Sequence, residues 1–64
     1  MCQMTVLLEK DGQEELVAEQ ASLLEAVENG VRIDTLFEAP RVVEGVLVAR
    51  IDFLAGKVIL RGKP

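Results

Sequence analysis

The one cysteine of this 64-residue chain lies in its first four residues, Met1-Cys2-Gln3-Met4, and is the side chain best suited to chemistry. A thiolate is a strong ligand for nickel, copper(I) and zinc. The sequence contains no His, so the commonest general base is missing and a Cys nucleophile has no imidazole to activate it. These features argue against an enzyme and leave metal binding as the chemistry that the residues could support.

A metal site built on Cys2 needs donors beyond that one thiolate, since most zinc sites have four ligands. Main-chain nitrogens beside Cys2 can add to it, and a second copy of the chain can bring the same donors again. Two thiolates and two nitrogens in one plane suit Ni(II) or Cu(II), a tetrahedral set suits Zn(II), and the thioethers of Met1 and Met4 make Cu(I) a further alternative. A buried thiol without any metal role is the competing interpretation.

The charge balance argues against nucleic acid as a ligand. Eleven acidic and seven basic residues give a net charge of −4, and the basic residues are scattered from Lys10 to Lys63. Nucleic-acid binding draws on a basic patch and on aromatic side chains, of which the chain has only Phe37 and Phe53. No segment has the pattern of a secretory signal or a membrane span, which predicts a cytoplasmic protein.

The length and composition predict a single domain, residues 1–64, that associates with a second copy. Half of the residues are hydrophobic, yet a chain this short buries only about 60% of the surface that its unfolded form exposes. One cysteine cannot form an internal disulfide. The surplus of aliphatic residues therefore predicts a homodimer with an apolar interface.

Alternating apolar and polar residues predict short strands over residues 4–9, 14–19, 31–35, 46–53 and 57–61. Asp11-Gly12 predicts a hairpin turn, because this pair accepts positive φ angles. In a strand Cys2, Met4, Val6 and Leu8 share one face. On that face, Cys2 lies either in the core or just past its end, at the rim. The later strands are predicted to place Val58 and Leu60 inward and to separate two sets in residues 46–53: Leu47, Ala49, Ile51 and Phe53 on one face, Arg50 and Asp52 on the other.

The segment between residues 21 and 30 has two interpretations. Ser22 and Glu25 form a capping box that would begin a short helix over residues 22–29. Asn29-Gly30 is instead typical of a type I′ hairpin, and we favour strands on both sides of it. Pro40 belongs at a bend or an edge. Five or six short antiparallel strands joined by frequent turns predict an all-β fold, a small SH3-like or Sm-like barrel.

The chain resembles the CooT family of small nickel-binding proteins. The resemblance is carried by the start Met1-Cys2, by Gly45 and by three short runs: Thr35-Leu36-Phe37, Ala49-Arg50-Ile51-Asp52 and Gly56-Lys57-Val58-Ile59-Leu60. It implies an SH3-like or Sm-like fold and a homodimer that holds one Ni(II) between the two copies of Cys2, with main-chain nitrogen of Cys2 or Gln3 as a further donor.

The resemblance also implies a metallochaperone or nickel store that serves the maturation of a nickel enzyme such as carbon monoxide dehydrogenase. Relatives in the family are also labelled as RNA-binding proteins, so a small RNA-binding module of the same fold is the alternative function.

Overall fold

The computed structural model describes residues 3–64, and its regular structure consists of six strands in one sheet. The strands are β1 (Met4–Lys10), β2 (Gln13–Val27), β3 (Gly30–Thr35), β4 (Arg41–Glu44), β5 (Val46–Asp52) and β6 (Lys57–Gly62). Their order across the sheet is β4-β3-β2-β1-β6-β5. The sheet curls into a half-barrel consistent with a small SH3-like barrel, so the predicted all-β class is confirmed. No helix within residues 3–64 is long and apolar enough to cross a membrane.

The first hairpin forms where the sequence predicts it. Asp11 and Gly12 have φ angles of 54° and 77°, as a two-residue turn of the primed type requires. β1 and β2 pair antiparallel on either side of this turn. Val6 is completely buried, and Met4 and Leu8 pack against the same core cluster, so the predicted alternation is confirmed for these three residues.

β2 is one continuous strand of 15 residues, and the helical alternative for residues 22–29 is wrong. Its first part pairs with β1, and residues 21–27 pair with β3. Two register shifts opposite β1 each add one residue to β2, and Gln20 has a φ of 57°. Bulges of this kind bend a strand and increase its twist. Pairing with β3 therefore outweighs the local capping signal, and one bent strand serves both halves of the sheet.

Gln20 has the left-handed conformation that only glycine adopts without strain, which gives a test of the bend. The left-handed region costs an L-residue about 1–2 kcal/mol, while glycine in an ordinary strand position costs about 0.5–1 kcal/mol. We expect Gln20→Gly to leave the free energy of unfolding unchanged or raise it by up to about 1 kcal/mol. The neighbouring control Glu19→Gly, without a positive φ, is expected to lower it. Urea denaturation followed by circular dichroism compares the two, and equal losses in both variants would rule out a strained bend.

The second hairpin differs from the predicted type I′ turn. β2 ends at Val27, which pairs directly with Gly30, so Glu28 and Asn29 form the turn. Neither Asn29 nor Gly30 has a positive φ. Gly30 is needed for space instead: a Cβ on this residue would collide with the carbonyl oxygen of Val43 in β4.

One pair of neighbouring strands is parallel, where the sequence predicts antiparallel strands. β1 pairs parallel with β6, in a register from Thr5 opposite Lys57 to Glu9 opposite Arg61. The parallel pair joins the first strand to the last one. Val58 and Leu60 point into the core, as predicted, and lie beside Val6 in one buried cluster.

In residues 46–53, Arg50 and Asp52 share one face as predicted, but the prediction that Leu47 and Ile51 share the other face is wrong. A register shift between Val48 and Arg50 changes the alternation, so that Leu47 lies opposite Arg61 and Arg50 lies opposite Ile59. Leu47 and Arg50 therefore share the outer face. The core receives Val46 and Val48 instead. β5 ends at Asp52, and Phe53 belongs to the following turn.

The sheet curls because its two edge strands are consecutive in the chain. β4 and β5 are joined by the single residue Gly45, which has a φ of 77°. The main-chain N–H of Gly45 donates to Asn29 O at 2.7 Å, and Gly45 O accepts from the N–H of Lys63 at 2.9 Å. These bonds bring the β2–β3 turn, the β4–β5 corner and the end of β6 together at the end of the half-barrel opposite Gln3.

Candidate functional site

The predicted metal ligand, Cys2, and the neighbouring Met1 lie outside the described residues. Gln3 is exposed and directly precedes β1. The N–H of Thr5 donates to Gly56 O at 2.8 Å, and the carbonyl oxygen of Gln3 lies 3.8 Å from the position that a Cβ on Gly56 would take. The residue that follows Cys2 is therefore held against the turn between β5 and β6.

This turn, residues 53–56, has a closed and well-bonded backbone. The Asp52 side chain accepts a hydrogen bond from the N–H of Ala55 at 2.9 Å, and the Asp52 carbonyl oxygen accepts one from the N–H of Gly56 at 2.8 Å. Phe53 and Leu54 project from the turn with exposed fractions of 82% and 101%. The sequence pattern assigns Phe53 to a strand, so it does not predict these two exposed apolar side chains.

An apolar depression lies at the same end of the half-barrel, on the inner face formed by β2, β1 and β6. Its walls include Met4, Val6, Ala21, Leu24 and Val58, and its volume is about 100 Å³. The one polar side chain among its neighbours, Ser22, donates its hydroxyl hydrogen to Asp34 O at 3.3 Å. The depression therefore offers a ligand little besides apolar contact.

The charged side chains form ion pairs on the outer surface of the sheet. Arg32 lies 3.4 Å from Glu25 and 3.2 Å from Asp34. Arg61 lies 3.1 Å from Glu9, and Arg50 bridges Glu9 and Glu14 at 3.9 and 3.7 Å. Exposed pairs of this kind contribute about 0–1 kcal/mol each.

These carboxylates belong to the partly solvated outer surface of the sheet. Among residues 3–64, no three His, Cys, Asp or Glu side chains cluster as they would around a metal ion.

Comparison with known proteins supports the resemblance inferred from the sequence. The family model described as CO dehydrogenase accessory protein CooT matches residues 1–61. No curated protein matches the chain.

Among solved structures, the crystal structure of a protein from Carboxydothermus hydrogenoformans assigned as a CooT superposes with a TM-score of 0.86. It is 19% identical in sequence, and the match covers 98% of this chain and 100% of that one. At this identity the likeness supports the fold. An accessory role agrees with the sequence prediction that the protein is not an enzyme. Because one family model spans nearly the entire sequence, the chain belongs to the CooT family of CO dehydrogenase accessory proteins.

Proposed function

We propose that this protein binds Ni(II) and stores it for, or passes it to, a nickel enzyme such as carbon monoxide dehydrogenase during maturation. Membership of a family of CO dehydrogenase accessory proteins is the observation that carries the proposal. The sequence supports it with a single thiol, Cys2, and no imidazole. In this role the metal is a cargo, and the protein itself catalyses no reaction. A cytoplasmic location suits it, because thiols stay reduced in that compartment.

The proposed site uses the Cys2 thiolates of two copies in a homodimer, with one Ni(II) for each dimer. Main-chain nitrogen of Cys2 or Gln3 completes a planar set of sulfur and nitrogen donors, which is a set that Ni(II) accepts. Gln3 is exposed and lies outside β1. A metal held beside it is accessible to a client protein, as transfer of a cargo requires.

Metal binding at this site displaces protons from the thiols. A thiol with an ordinary pKa is mostly protonated at neutral pH, and only the thiolate binds metal. The apparent affinity for Ni(II) therefore rises with pH until both thiols are ionised. The dimer supplies the geometry, since it fixes two chain starts close enough to share one ion.

Titration of the native protein and Cys2→Ser with Ni(II) by calorimetry tests the proposal. We expect the native protein to bind one Ni(II) for every two chains. Loss of a supporting group around a metal ligand weakens binding about 10–100-fold, so loss of the ligand itself is expected to cost more than about 100-fold. Met4→Leu is the matched control, because it removes a nearby thioether and keeps an aliphatic side chain on the core. Parallel titrations with Zn(II) and Cu(I) identify the preferred metal.

Equal Ni(II) binding by the native protein and Cys2→Ser would contradict the proposal. A loss of Ni(II) binding in Met4→Leu as large as that in Cys2→Ser would make the Met4 thioether a further ligand, and tighter binding of Cu(I) than of Ni(II) by the native protein would point to a copper(I) site. RNA binding would appear as a salt-dependent mobility shift. The ion-paired arginines Arg32, Arg50 and Arg61 do not favour that alternative.

A further inference from the structure

We propose that two copies of this chain associate at the end of the half-barrel near Gln3, where Leu54 of each copy enters the apolar depression of the other. The inference rests on the homodimer of the proposed function and adds to it the surface through which the copies meet. It is drawn from three features: an exposed apolar turn, a depression of matching size and an excess of exposed surface.

The first feature is the exposed turn of residues 53–56. Leu54 is fully exposed and Phe53 nearly so, which leaves two large apolar side chains side by side in water. The turn is held rigid by the hydrogen bonds to Asp52. Because the backbone is already fixed, Leu54 loses little conformational freedom when a partner covers it.

The second feature is the apolar depression beside Met4. A cavity of roughly 10–15 Å³ already holds one water, so a depression of about 100 Å³ has room for several waters or for one branched aliphatic side chain. Water in an apolar depression lacks hydrogen-bond partners. An aliphatic side chain such as that of Leu54 is therefore the better occupant.

The third feature is the exposed area of the isolated chain. Its accessible surface is 4599 Å². A compact monomer of this size exposes about 4,000 Å², so the chain exposes roughly 600 Å² more than expected. A stable interface buries about 800 Å² on each partner. The surplus is of the order that one self-complementary interface covers, which favours a second copy of the chain as the occupant.

The turn and the depression both lie beside the chain start. Gly56, which closes the turn, bonds to Thr5, and Met4 pairs with Ala21 in the wall of the depression. A two-fold axis through this end places each Leu54 in the partner's depression and brings the two copies of Gln3 toward each other. The same contact therefore juxtaposes the chain starts that the nickel site requires.

Sedimentation of the native protein and of Leu54→Glu, with and without Ni(II), tests the interface. Because the two-fold axis repeats the contact, Leu54→Glu removes two leucine contacts from each dimer. We therefore expect it to raise the dimer dissociation constant about 100-fold or more. Because Leu54 is fully exposed, the fold of the chain is expected to persist, and circular dichroism checks this. The matched control is Leu16→Glu, an exposed leucine of β2 that does not line the depression.

Mixing two variants that carry opposite charges provides a second measurement. Leu23 is partly exposed at the mouth of the depression, so Leu23→Lys is expected to block entry and give a monomer. Mixed with Leu54→Glu, it is expected to form a heterodimer, in which one native leucine contact is kept and the other is replaced by an opposite-charge pair. This gain of association by mixing cannot arise from a general loss of folding.

The outcomes separate this interface from nickel binding. A native protein that stays monomeric with and without Ni(II), or a Leu54→Glu variant that dimerises like the native protein, would overturn the interface. Dissociation of Leu16→Glu to the same extent as Leu54→Glu would overturn it as well. If the native protein dimerises but binds no Ni(II), and Leu54→Glu is monomeric, the interface is supported and the nickel proposal is refuted.

Discussion

Gly30→Ala is expected to destabilise the folded protein by about 3 kcal/mol or more, because the added methyl group has no space between β3 and β4. Its Cβ would collide with Val43 O and lie 2.9 Å from the Cα of Glu44. Both are backbone atoms, which cannot rotate away as the end of a side chain does. β4 pairs with no strand other than β3, so the clash would separate β4 from the sheet. Since a small domain is stable by only about 5–15 kcal/mol, this is a large share of the total.

Gly62→Ala is the matched control for this prediction. Gly62 also lies in a strand and lacks a positive φ, but the nearest atom to an added Cβ, Gly45 O, is 3.9 Å away. Such a replacement is expected to change stability by about 1 kcal/mol or less, in either direction. The chain has no Trp or Tyr, so urea unfolding is best followed by far-ultraviolet circular dichroism. Equal stability of the two variants would contradict the close approach of β3 and β4.

Leu60→Ala is expected to cost about 2–5 kcal/mol, through lost burial and the cavity left behind. Leu60 has an exposed fraction of 0% and lies in the central row of the core, between Leu8 of β1 and Val48 of β5. Its removal weakens the contact of β6 with both neighbouring strands. The same denaturation measurement reports the loss, which is expected to leave a measurable unfolded population at moderate temperature.

Leu47→Ala provides the comparison within the same sheet. Leu47 is 38% exposed and lies on the outer face of β5, so its truncation leaves no enclosed cavity and is expected to cost less than about 1 kcal/mol. If Leu47→Ala proved the more damaging variant, the register shift between Val48 and Arg50 would be wrong. Leu47 and Ile51 would then share one face of β5, as simple alternation predicts.

Much of the fold could be predicted because the signals that specify it are local. Asp11-Gly12 favours a primed turn by its own conformational preference, and the alternation of Met4, Val6 and Leu8 identifies the buried face of β1. The same reasoning correctly placed Val58 and Leu60 in the core. Each of these predictions depends on residues that are at most a few positions apart.

The features that were missed depend on distant parts of the chain. The need for glycine at position 30 comes from Val43, and the bend at Gln20 comes from the pairing of one strand with both β1 and β3. The register shift after Val48 is visible only against β6. A sequence pattern specifies alternation within a strand, but it does not specify where a bulge interrupts that alternation.

The sequence predicts the metal ligand of the candidate site, but it does not predict which residues surround that site. Cys2 stands out because no other residue of the chain is a comparable metal ligand, and it remains a prediction since it lies outside residues 3–64. The sequence does not predict a turn that carries Phe53 and Leu54, because the alternation typical of a strand continues through Phe53. The proximity of this turn to Gln3 follows from the parallel pairing of β1 with β6, which the sequence did not suggest.

That parallel pairing has a consequence for how the protein is made. β1 finds one of its two neighbours, β6, only after the four intervening strands have been synthesised and β6 has emerged from the ribosome. Until then β1 has one unpaired edge and Val6 lacks the cover of Val58. Folding dominated by such non-local pairing takes about milliseconds to seconds in small β proteins. The nascent chain must therefore keep an incomplete apolar surface out of aggregates until β6 is available for pairing.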